Sequence, residues 1–223
     1  MICAIIAAAG SGTRFGSKIP KQFLEIGGKP LLIHTIEKFD DCAAVDEIVL
    51  ILSVDEIENF SLILAKFNFN KPVKIVAGGA NRAESVRNGI NSLDADKVEI
   101  VAVHDGARPL VSTEEITETI DKAKEIGAAC LVAKVTDTIK EVREGKIKRT
   151  IDRENLRRAL TPQAFQFEIL QRAFAPENFD SKATDECFLV EKLGYGIAFV
   201  DGSAGNIKIT TREDFLTAES FLK

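Results

Sequence analysis

The sequence has few of the residues that build base-stacking platforms, metal sites or disulfides. It contains no tryptophan, one tyrosine (Tyr195) and two histidines. Aromatic platforms that stack nucleic-acid bases are therefore not expected. Its four cysteines are Cys3, Cys42, Cys130 and Cys187, and no two of them have CxxC spacing. This pattern excludes the common zinc motifs and predicts reduced thiols in a cytoplasmic protein.

Long apolar runs and an excess of basic charge are also lacking. No stretch approaches the roughly 18 apolar residues that mark a membrane helix. The first ten residues are largely apolar, but no basic segment precedes them, so they do not fit a signal peptide. The net charge is −5, which argues against a general nucleic-acid binder. We therefore expect neither a nucleic-acid nor a membrane partner.

Short apolar runs rich in Ile and Val alternate with longer helical patterns. The predicted strands are Cys3–Ala8, Ile48–Leu52, Val73–Ala77, Ile100–His104 and Leu131–Val135. Their continuous apolar character is typical of parallel strands buried on both faces. The alternation predicts an α/β fold with one doubly wound, mostly parallel, Rossmann-like sheet.

Local signals predict where several helices begin. Pro30 is expected to open a helix near 31–39. The pairs Asn81 with Glu84 and Ser112 with Glu115 have the spacing of a capping box. Later helices are predicted near 167–174, near 185–193 and from about 213 to the end of the chain, with another strand at 197–200 between the last two.

The segment Thr138–Ile151 alternates apolar and charged residues on either side of Glu144-Gly145. That pattern predicts a β-hairpin with one exposed face, projecting from the sheet as an arm. Since no linker or second core is visible, we expect a single domain over residues 1–223 with an arm at about 136–153.

The first strand leads into a long loop that is rich in glycine and basic residues. Three glycines and Arg14, Lys18 and Lys21 lie between Ala7 and Gln22. Glycine lets backbone N–H groups approach phosphate oxygens, and the basic side chains add positive charge. The loop therefore predicts a triphosphate site.

Two better-known glycine loops do not fit this segment. Its glycines are spaced one residue too widely for the dinucleotide fingerprint GxGxxG, and it lacks the GxxxxGK of a P-loop. An NAD-binding oxidoreductase is an alternative from another class. It is disfavoured by the spacing and by Leu52-Ser53, which stand where an acidic residue would bind ribose.

The loop also carries a resemblance to a known family. The segment AAAGSGTRFGSKIPKQFLEIGGKPLL (7–32) is similar to the signature of the sugar-phosphate nucleotidyltransferases. Further similar motifs follow in order at Gly78–Ile90, Val103–Val111, Val135–Lys140, Thr150–Phe165, Thr184–Glu186 and Asn206–Thr211. Over essentially the whole chain, they resemble the 2-C-methyl-D-erythritol 4-phosphate cytidylyltransferases of the non-mevalonate isoprenoid pathway. Ribitol-5-phosphate cytidylyltransferases share the loop and the TPQ motif and are the nearest alternative.

The resemblance implies transfer of CMP from CTP to a sugar or alditol phosphate, with Mg²⁺ required and pyrophosphate released. It implies catalytic roles for Arg14, Lys21, Arg153 and Lys208. It implies contacts to CTP for Ala8, Ala9, Gly10, Gly12, Gly78, Gly79, Ser85 and Gly106. It implies contacts to the sugar phosphate for Asp105, Arg108, Thr138, Thr161 and Thr184. It also implies a homodimer that exchanges the arms, so that each arm completes the neighbour's site.

The residue types agree with this chemistry because a phosphate nucleophile needs no general base. Its second pKa is about 6, so it carries nearly two negative charges at neutral pH. Positive charges must instead bring two polyanions together and stabilise the departing pyrophosphate. His104 is accordingly expected to be structural, and no carboxylate cluster marks a ligand set for the metal.

Overall fold

The computed structural model describes residues 1–10 and 20–222. The strands of this part of the chain are β1 (Ile2–Ala7), β2 (Glu25–Ile26), β3 (Lys29–Pro30), β4 (Glu47–Leu52), β5 (Val73–Ala77), β6 (Ile100–Asp105), β7 (Ala128–Lys134), β8 (Ile139–Arg143), β9 (Lys146–Ile151), β10 (Arg157–Gln166) and β11 (Ala198–Asp201). The α-helices are α1 (Leu31–Asp40), α2 (Ile57–Leu64), α3 (Arg82–Asn91), α4 (Thr113–Ile126), α5 (Phe167–Ala173), α6 (Glu186–Lys192) and α7 (Arg212–Leu222).

The central sheet is mostly parallel, as the sequence predicts. Seven strands of the described residues pair in the order β11-β7-β10-β6-β1-β4-β5. Strand β1 lies between β4 and β6 and is parallel to both. Only β10 runs antiparallel to its neighbours, β6 and β7. The carboxyl ends of β1, β4, β5 and β6 therefore share one edge of the sheet.

Both faces of the sheet are buried, which explains why the strands are continuously apolar. Ile6 and Leu50 face a core cluster that includes α1, α2 and α4. Ile5 and Val49 face the opposite cluster, with α3, α5 and α6. Successive residues of a strand point to opposite faces, so covering both faces removes the usual polar alternation.

The predicted helix starts are confirmed in their local contacts. Pro30 precedes α1, and the Asn81 side chain accepts a hydrogen bond from the Glu84 N–H at the start of α3 (2.9 Å). Ser112 and Glu115 form a reciprocal capping box at α4. The caps of Asn81 and Ser112 satisfy backbone donors that the first turn leaves unpaired.

Strand β10 and helix α2 were not predicted from the sequence. β10 contains Pro162, and proline is unusual within a central strand because it has no N–H to donate. The register of β10 against β7 shifts between Ala159 and Gln163. The shift takes Pro162 out of the pairing, so the strand tolerates it at a bulge.

The predicted hairpin is present as a separate two-stranded sheet of β8 and β9. Glu144 (φ 48°) and Gly145 (φ 75°) form its turn, and positive φ at both positions is typical of a tight hairpin. Val142 and Ile147 expose 57% and 66% of their surface. The exchange of this arm between subunits stays a prediction.

All four cysteines are free and buried. Within residues 1–10 and 20–222, no helix is both long enough and apolar enough to cross a bilayer.

Candidate active site

Several of the predicted site residues lie together at the carboxyl edge of the sheet. Gly106 follows β6, and its N–H donates to the Ala7 carbonyl at the end of β1 (2.9 Å). A Cβ at position 106 would lie 2.9 Å from Leu32 Cδ1 and 3.0 Å from Ala8 Cβ. Only glycine fits this approach without a shift of its neighbours. The structure thus places Gly106 against Ala8, two residues predicted to contact CTP.

A second close approach joins the end of β5 to the end of β1. A Cβ at Gly78 would lie 2.5 Å from Ala9 Cβ and 3.0 Å from Ser85 Oγ. The Ser85 hydroxyl accepts from the Gly79 N–H (3.1 Å) and donates to the Asn81 carbonyl (2.7 Å). Four predicted CTP contacts, Ala9, Gly78, Gly79 and Ser85, therefore form one surface with little side-chain bulk.

Asp105, the last residue of β6, is surrounded by three cations. Its Oδ1 accepts from Arg82 Nε at 3.0 Å. Its Oδ2 lies 2.9 Å from Lys208 Nζ and 3.5 Å from Arg108 Nε. Asp105 and Arg108 are buried, whereas the Lys208 side chain is 36% exposed. Lys208 is therefore the cation of this group most open to an incoming anion.

The cations decide the charge state of Asp105. Burial by itself would raise the pKa of this carboxyl, but Arg82, Lys208 and Arg108 outweigh burial and hold the pKa well below its usual range. Asp105 is consequently a fixed negative charge at neutral pH. It cannot serve as a general acid there.

Arg82 continues the charge network to a second carboxylate. Its Nη1 and Nη2 donate to the two carboxylate oxygens of Glu186, at 2.6 and 3.1 Å. Glu186 is the first residue of α6 and is only 1% exposed. Burial would lower the pKa of Arg82, but Glu186 and Asp105 raise it overall. The guanidinium therefore stays charged between the two acids.

His104 has the structural role that the sequence predicts. The Thr161 hydroxyl accepts from the Asp105 N–H (3.1 Å) and lies 3.0 Å from His104 Nδ1. Because the Arg108 carbonyl can only accept, Nε2 carries the ring proton and donates to it (3.1 Å). Nδ1 of the neutral ring then accepts from the Thr161 hydroxyl. Burial lowers the pKa of His104 to about 4, so the ring is neutral. These bonds fix the turn that carries Asp105, Gly106 and Arg108.

Gln163 ties strand β10 to the start of α6. Its side-chain carbonyl accepts from the N–H groups of Glu186 (3.2 Å) and Cys187 (3.1 Å), and its Nε2 donates to Asp185 (2.9 Å). Thr184, a predicted substrate contact, is exposed immediately before this helix. Gln163 therefore holds the loop that presents Thr184.

The two arm residues of the predicted site are exposed at the base of the hairpin. Thr138 precedes β8 and Arg153 follows β9. Arg153 donates to the Thr136 carbonyl across the base of the arm, rather than to the Asp105 group. Within one chain, the structure does not join Arg153 to the charge network around Asp105.

Some predicted site residues lie outside the described part of the chain. Gly12 and Arg14 fall in residues 11–19, and only the backbone of Lys21 is described. Their roles stay predictions. Gly10 is described and exposed, and a Cβ added there would meet no atom of the described residues within 4 Å.

Arg82, Glu186 and Gln163 were not predicted as site residues from the sequence. Each lies inside one of the motifs that carry the family resemblance. For Arg82 and Glu186, a charged residue at the start of a helix was the available signal. Its meaning depends on contacts over long separations, because Arg82 and Glu186 are 104 residues apart.

The described residues do not offer a ready-made metal site at this edge. Outside residues 11–19, no three His, Cys, Asp or Glu side chains are grouped to hold an ion. The nearby carboxylates of Asp105 and Glu186 are already paired with cations. Mg²⁺ commonly binds through substrate phosphates and water with few protein ligands, so this edge fits an ion that arrives with a triphosphate.

Comparisons with known proteins agree with this geometry. Residues 2–223 match the family model of 2-C-methyl-D-erythritol 4-phosphate cytidylyltransferase. A protein of that name from Caldanaerobacter subterraneus is 44% identical, and the match covers 100% of this chain and 99% of the relative. A protein of that name from Bacillus licheniformis is 41% identical, and the match covers 98% of this chain and 94% of the relative. The structure of 4-diphosphocytidyl-2C-methyl-D-erythritol synthase from Anaerococcus prevotii superposes with a TM-score of 0.86 at 30% identity, covering 99% of this chain and 95% of that one.

Proposed function

The chain belongs to the 2-C-methyl-D-erythritol 4-phosphate cytidylyltransferase family, and we propose that it transfers CMP from CTP to 2-C-methyl-D-erythritol 4-phosphate. The products are 4-diphosphocytidyl-2-C-methyl-D-erythritol and pyrophosphate. One observation carries the proposal. Lys208, a partly exposed cation paired with Asp105, lies at the same sheet edge as Gly78, Gly79 and Ser85, which form a surface with little side-chain bulk.

The reaction is an in-line displacement at the α-phosphorus of CTP. A phosphate oxygen of the alditol phosphate forms the new P–O bond, and the bond to the bridging oxygen of the β-phosphate breaks. The electron pair of that bond leaves with pyrophosphate. No proton has to be removed from the nucleophile at neutral pH, which agrees with the neutral His104 and the ionised Asp105.

The residues divide between the two substrates. The backbone at Ala8, Ala9, Gly78, Gly79 and Gly106 lets CTP approach the sheet edge, and Ser85 lies there to bond the base. Arg14 and Lys21 are proposed to stabilise charge on the triphosphate. Lys208, Arg108, Thr161 and Thr184 are proposed to bind the alditol phosphate, with Asp105 positioned for its hydroxyls.

Mg²⁺ is proposed to enter with CTP, held mainly by the triphosphate and water. When bound, it neutralises part of the phosphate charge and so favours departure of pyrophosphate. The protein contributes the basic residues that orient both anions.

We also propose a homodimer in which Thr138 and Arg153 of the arm complete the partner's site. The exposed Val142 and Ile147 and the absence of a bond from Arg153 to its own Asp105 group support an arm that acts in trans. The four free, buried thiols support a cytoplasmic location.

The test is pyrophosphate release from CTP with Mg²⁺ against a panel of sugar and alditol phosphates. We expect turnover with 2-C-methyl-D-erythritol 4-phosphate to exceed that with ribitol 5-phosphate. Preference for ribitol 5-phosphate would assign the chain to the other cytidylyltransferase. Binding of NAD without any binding of CTP and Mg²⁺ would overturn the proposed reaction class.

A further inference from the structure

We propose that Arg82 and Glu186 are positioning residues that keep Lys208 available to the alditol phosphate. The inference rests on the proposed function and concerns the same site. Neither residue needs to touch a substrate in this account. They act through the carboxylate of Asp105.

The first support is the way Arg82 divides its donors. Its Nε binds one oxygen of Asp105 at 3.0 Å, while Nη1 and Nη2 hold both oxygens of Glu186. A guanidinium fork can bridge two carboxylates in one plane, whereas the single ammonium of a lysine cannot reproduce the arrangement. Arg82 therefore sets the orientation of the Asp105 carboxylate.

The second support is that stability alone does not account for this pair. Glu186 is 1% exposed, and the side chain of Arg82 is 24% exposed. Replacing a buried ion pair by apolar residues of similar volume is often neutral or stabilising. A role in the site gives a reason for keeping charges at these two positions.

The third support is competition for Lys208. Arg82 occupies Oδ1 of Asp105, which leaves Lys208 and Arg108 to share Oδ2. Without Arg82, Oδ1 of Asp105 would also be open to Lys208. The ammonium would then be held more strongly by Asp105 and would be less available to a substrate phosphate.

The network also joins the two halves of the site. Arg82 begins α3, directly after the surface of Gly78 and Gly79, whereas Glu186 begins α6, two residues after Thr184. One guanidinium thus connects the proposed nucleotide surface to the proposed alditol phosphate surface. A shift of either segment would change the orientation of Asp105.

The experiment compares the two Michaelis constants in three variants. Arg82→Lys keeps the charge and removes the fork. The double variant Arg82→Met/Glu186→Met removes both charges without leaving either unpaired. Arg87→Lys is the matched control, because Arg87 lies on the same helix and packs over Phe179, its guanidinium carbon 4.2 Å from the ring centroid.

We expect Arg82→Lys and the double variant to raise KM for the alditol phosphate about tenfold, the effect of weakening one charge-assisted hydrogen bond. KM for CTP should change less than about twofold by the same reasoning. The thermal midpoint of the double variant should stay near that of the wild type. The control should match the wild type in both constants.

Three results would overturn the inference. An unchanged KM for the alditol phosphate in Arg82→Lys would show that the fork is not needed. A double variant with normal stability and both constants normal would show that the site does not need the pair. A rise confined to KM for CTP would place Arg82 at the nucleotide instead. If the wild-type enzyme fails to turn over any alditol phosphate, it is the proposed function that falls, and the inference falls with it.

Discussion

Asp105 is the residue around which the charges of the site are arranged. Three cations surround its buried carboxylate, and one of them, Lys208, remains partly exposed. A carboxylate in this position does not perform acid–base chemistry. It holds cations in place, which suits a reaction between two polyanions.

The first prediction at this scale concerns Lys208. We expect Lys208→Ala to raise KM for the alditol phosphate by about tenfold or more, because the variant would lose the proposed charge-assisted contact to phosphate. KM for CTP should change much less. Steady-state kinetics with each substrate varied in turn provides the measurement. Lys192→Ala, which removes an exposed lysine paired with Asp180, is the control, and equal changes in both constants would contradict the assignment.

The second prediction concerns His104 and pH. The folded protein holds the pKa of this ring at about 4, whereas the ordinary value is 6.5. Between these values the unfolded chain binds a proton that the folded chain does not, so stability rises with pH across the window. Lowering the pH from 6.5 to 4 should therefore cost up to about 3 kcal/mol.

Thermal midpoints measured from pH 4 to 7 provide the test, with His104→Gln as the comparison. The wild-type midpoint should fall as the pH drops below 6.5, and the variant should show a flatter profile. Identical profiles for the two proteins would contradict a neutral, buried His104. Asp105 contributes mainly below its ordinary value of 3.8, outside this window.

At the scale of elements, the site is formed where four parallel strands end. Glycines at these ends allow the backbone of one connection to lie against another. Gly78 and Gly106 each have a neighbouring Cβ within 3.0 Å of the position that their own Cβ would take. The surface with little side-chain bulk therefore depends on packing between the segments that follow different strands. One loop alone cannot form it.

Gly78→Ala tests this arrangement. The new Cβ would lie 2.5 Å from Ala9 Cβ and 3.3 Å from the Leu52 carbonyl oxygen, so the connection after β5 must move. We expect a loss of roughly 1–3 kcal/mol in stability, as for other overpacked sites, and a higher KM for CTP. Gly196→Ala is the matched control, because a Cβ there meets nothing within 4 Å. Equal behaviour of the two variants would contradict the prediction.

Elements with local signals were predictable and those without them were not. The capping residues Asn81 and Ser112 and the turn at Glu144-Gly145 act within a few residues. Strand β10 depends instead on pairing with β6 and β7 and carries a proline that local rules place outside a strand. Its bulge exists only because the neighbouring strands are present.

At the scale of the whole molecule, the acidic average hides two basic stretches. Residues 1–30 hold four Lys/Arg against one acidic residue, and residues 140–158 hold eight against four. The rest of the chain therefore has a net charge of −12. The first stretch contains Arg14 and Lys21, and the second contains Arg153. If the arm acts in trans, basic charge from both subunits meets at each site.

Subunit mixing tests that arrangement. The Arg14→Ala and Arg153→Ala proteins should each have low activity if, as proposed, Arg14 serves the triphosphate and Arg153 the alditol phosphate. After subunit exchange, a mixed dimer should contain one intact site, so activity should return to about a quarter of the wild-type value when exchange is complete. If mass spectrometry verifies the exchange and no activity returns, the result would contradict a trans role of the arm.

The amino-acid sequence by itself determined the alternation of strands and helices, the caps, the hairpin turn and the family. These features depend on periodicity, on contacts within a few residues or on motifs read in order. Only the tertiary structure decided that β10 enters the sheet, that His104 is neutral within a hydrogen-bonded turn and that Arg82 joins Asp105 to Glu186. Each of these depends on groups brought together by packing from distant parts of the chain, and burial there strengthens the charges and hydrogen bonds between them.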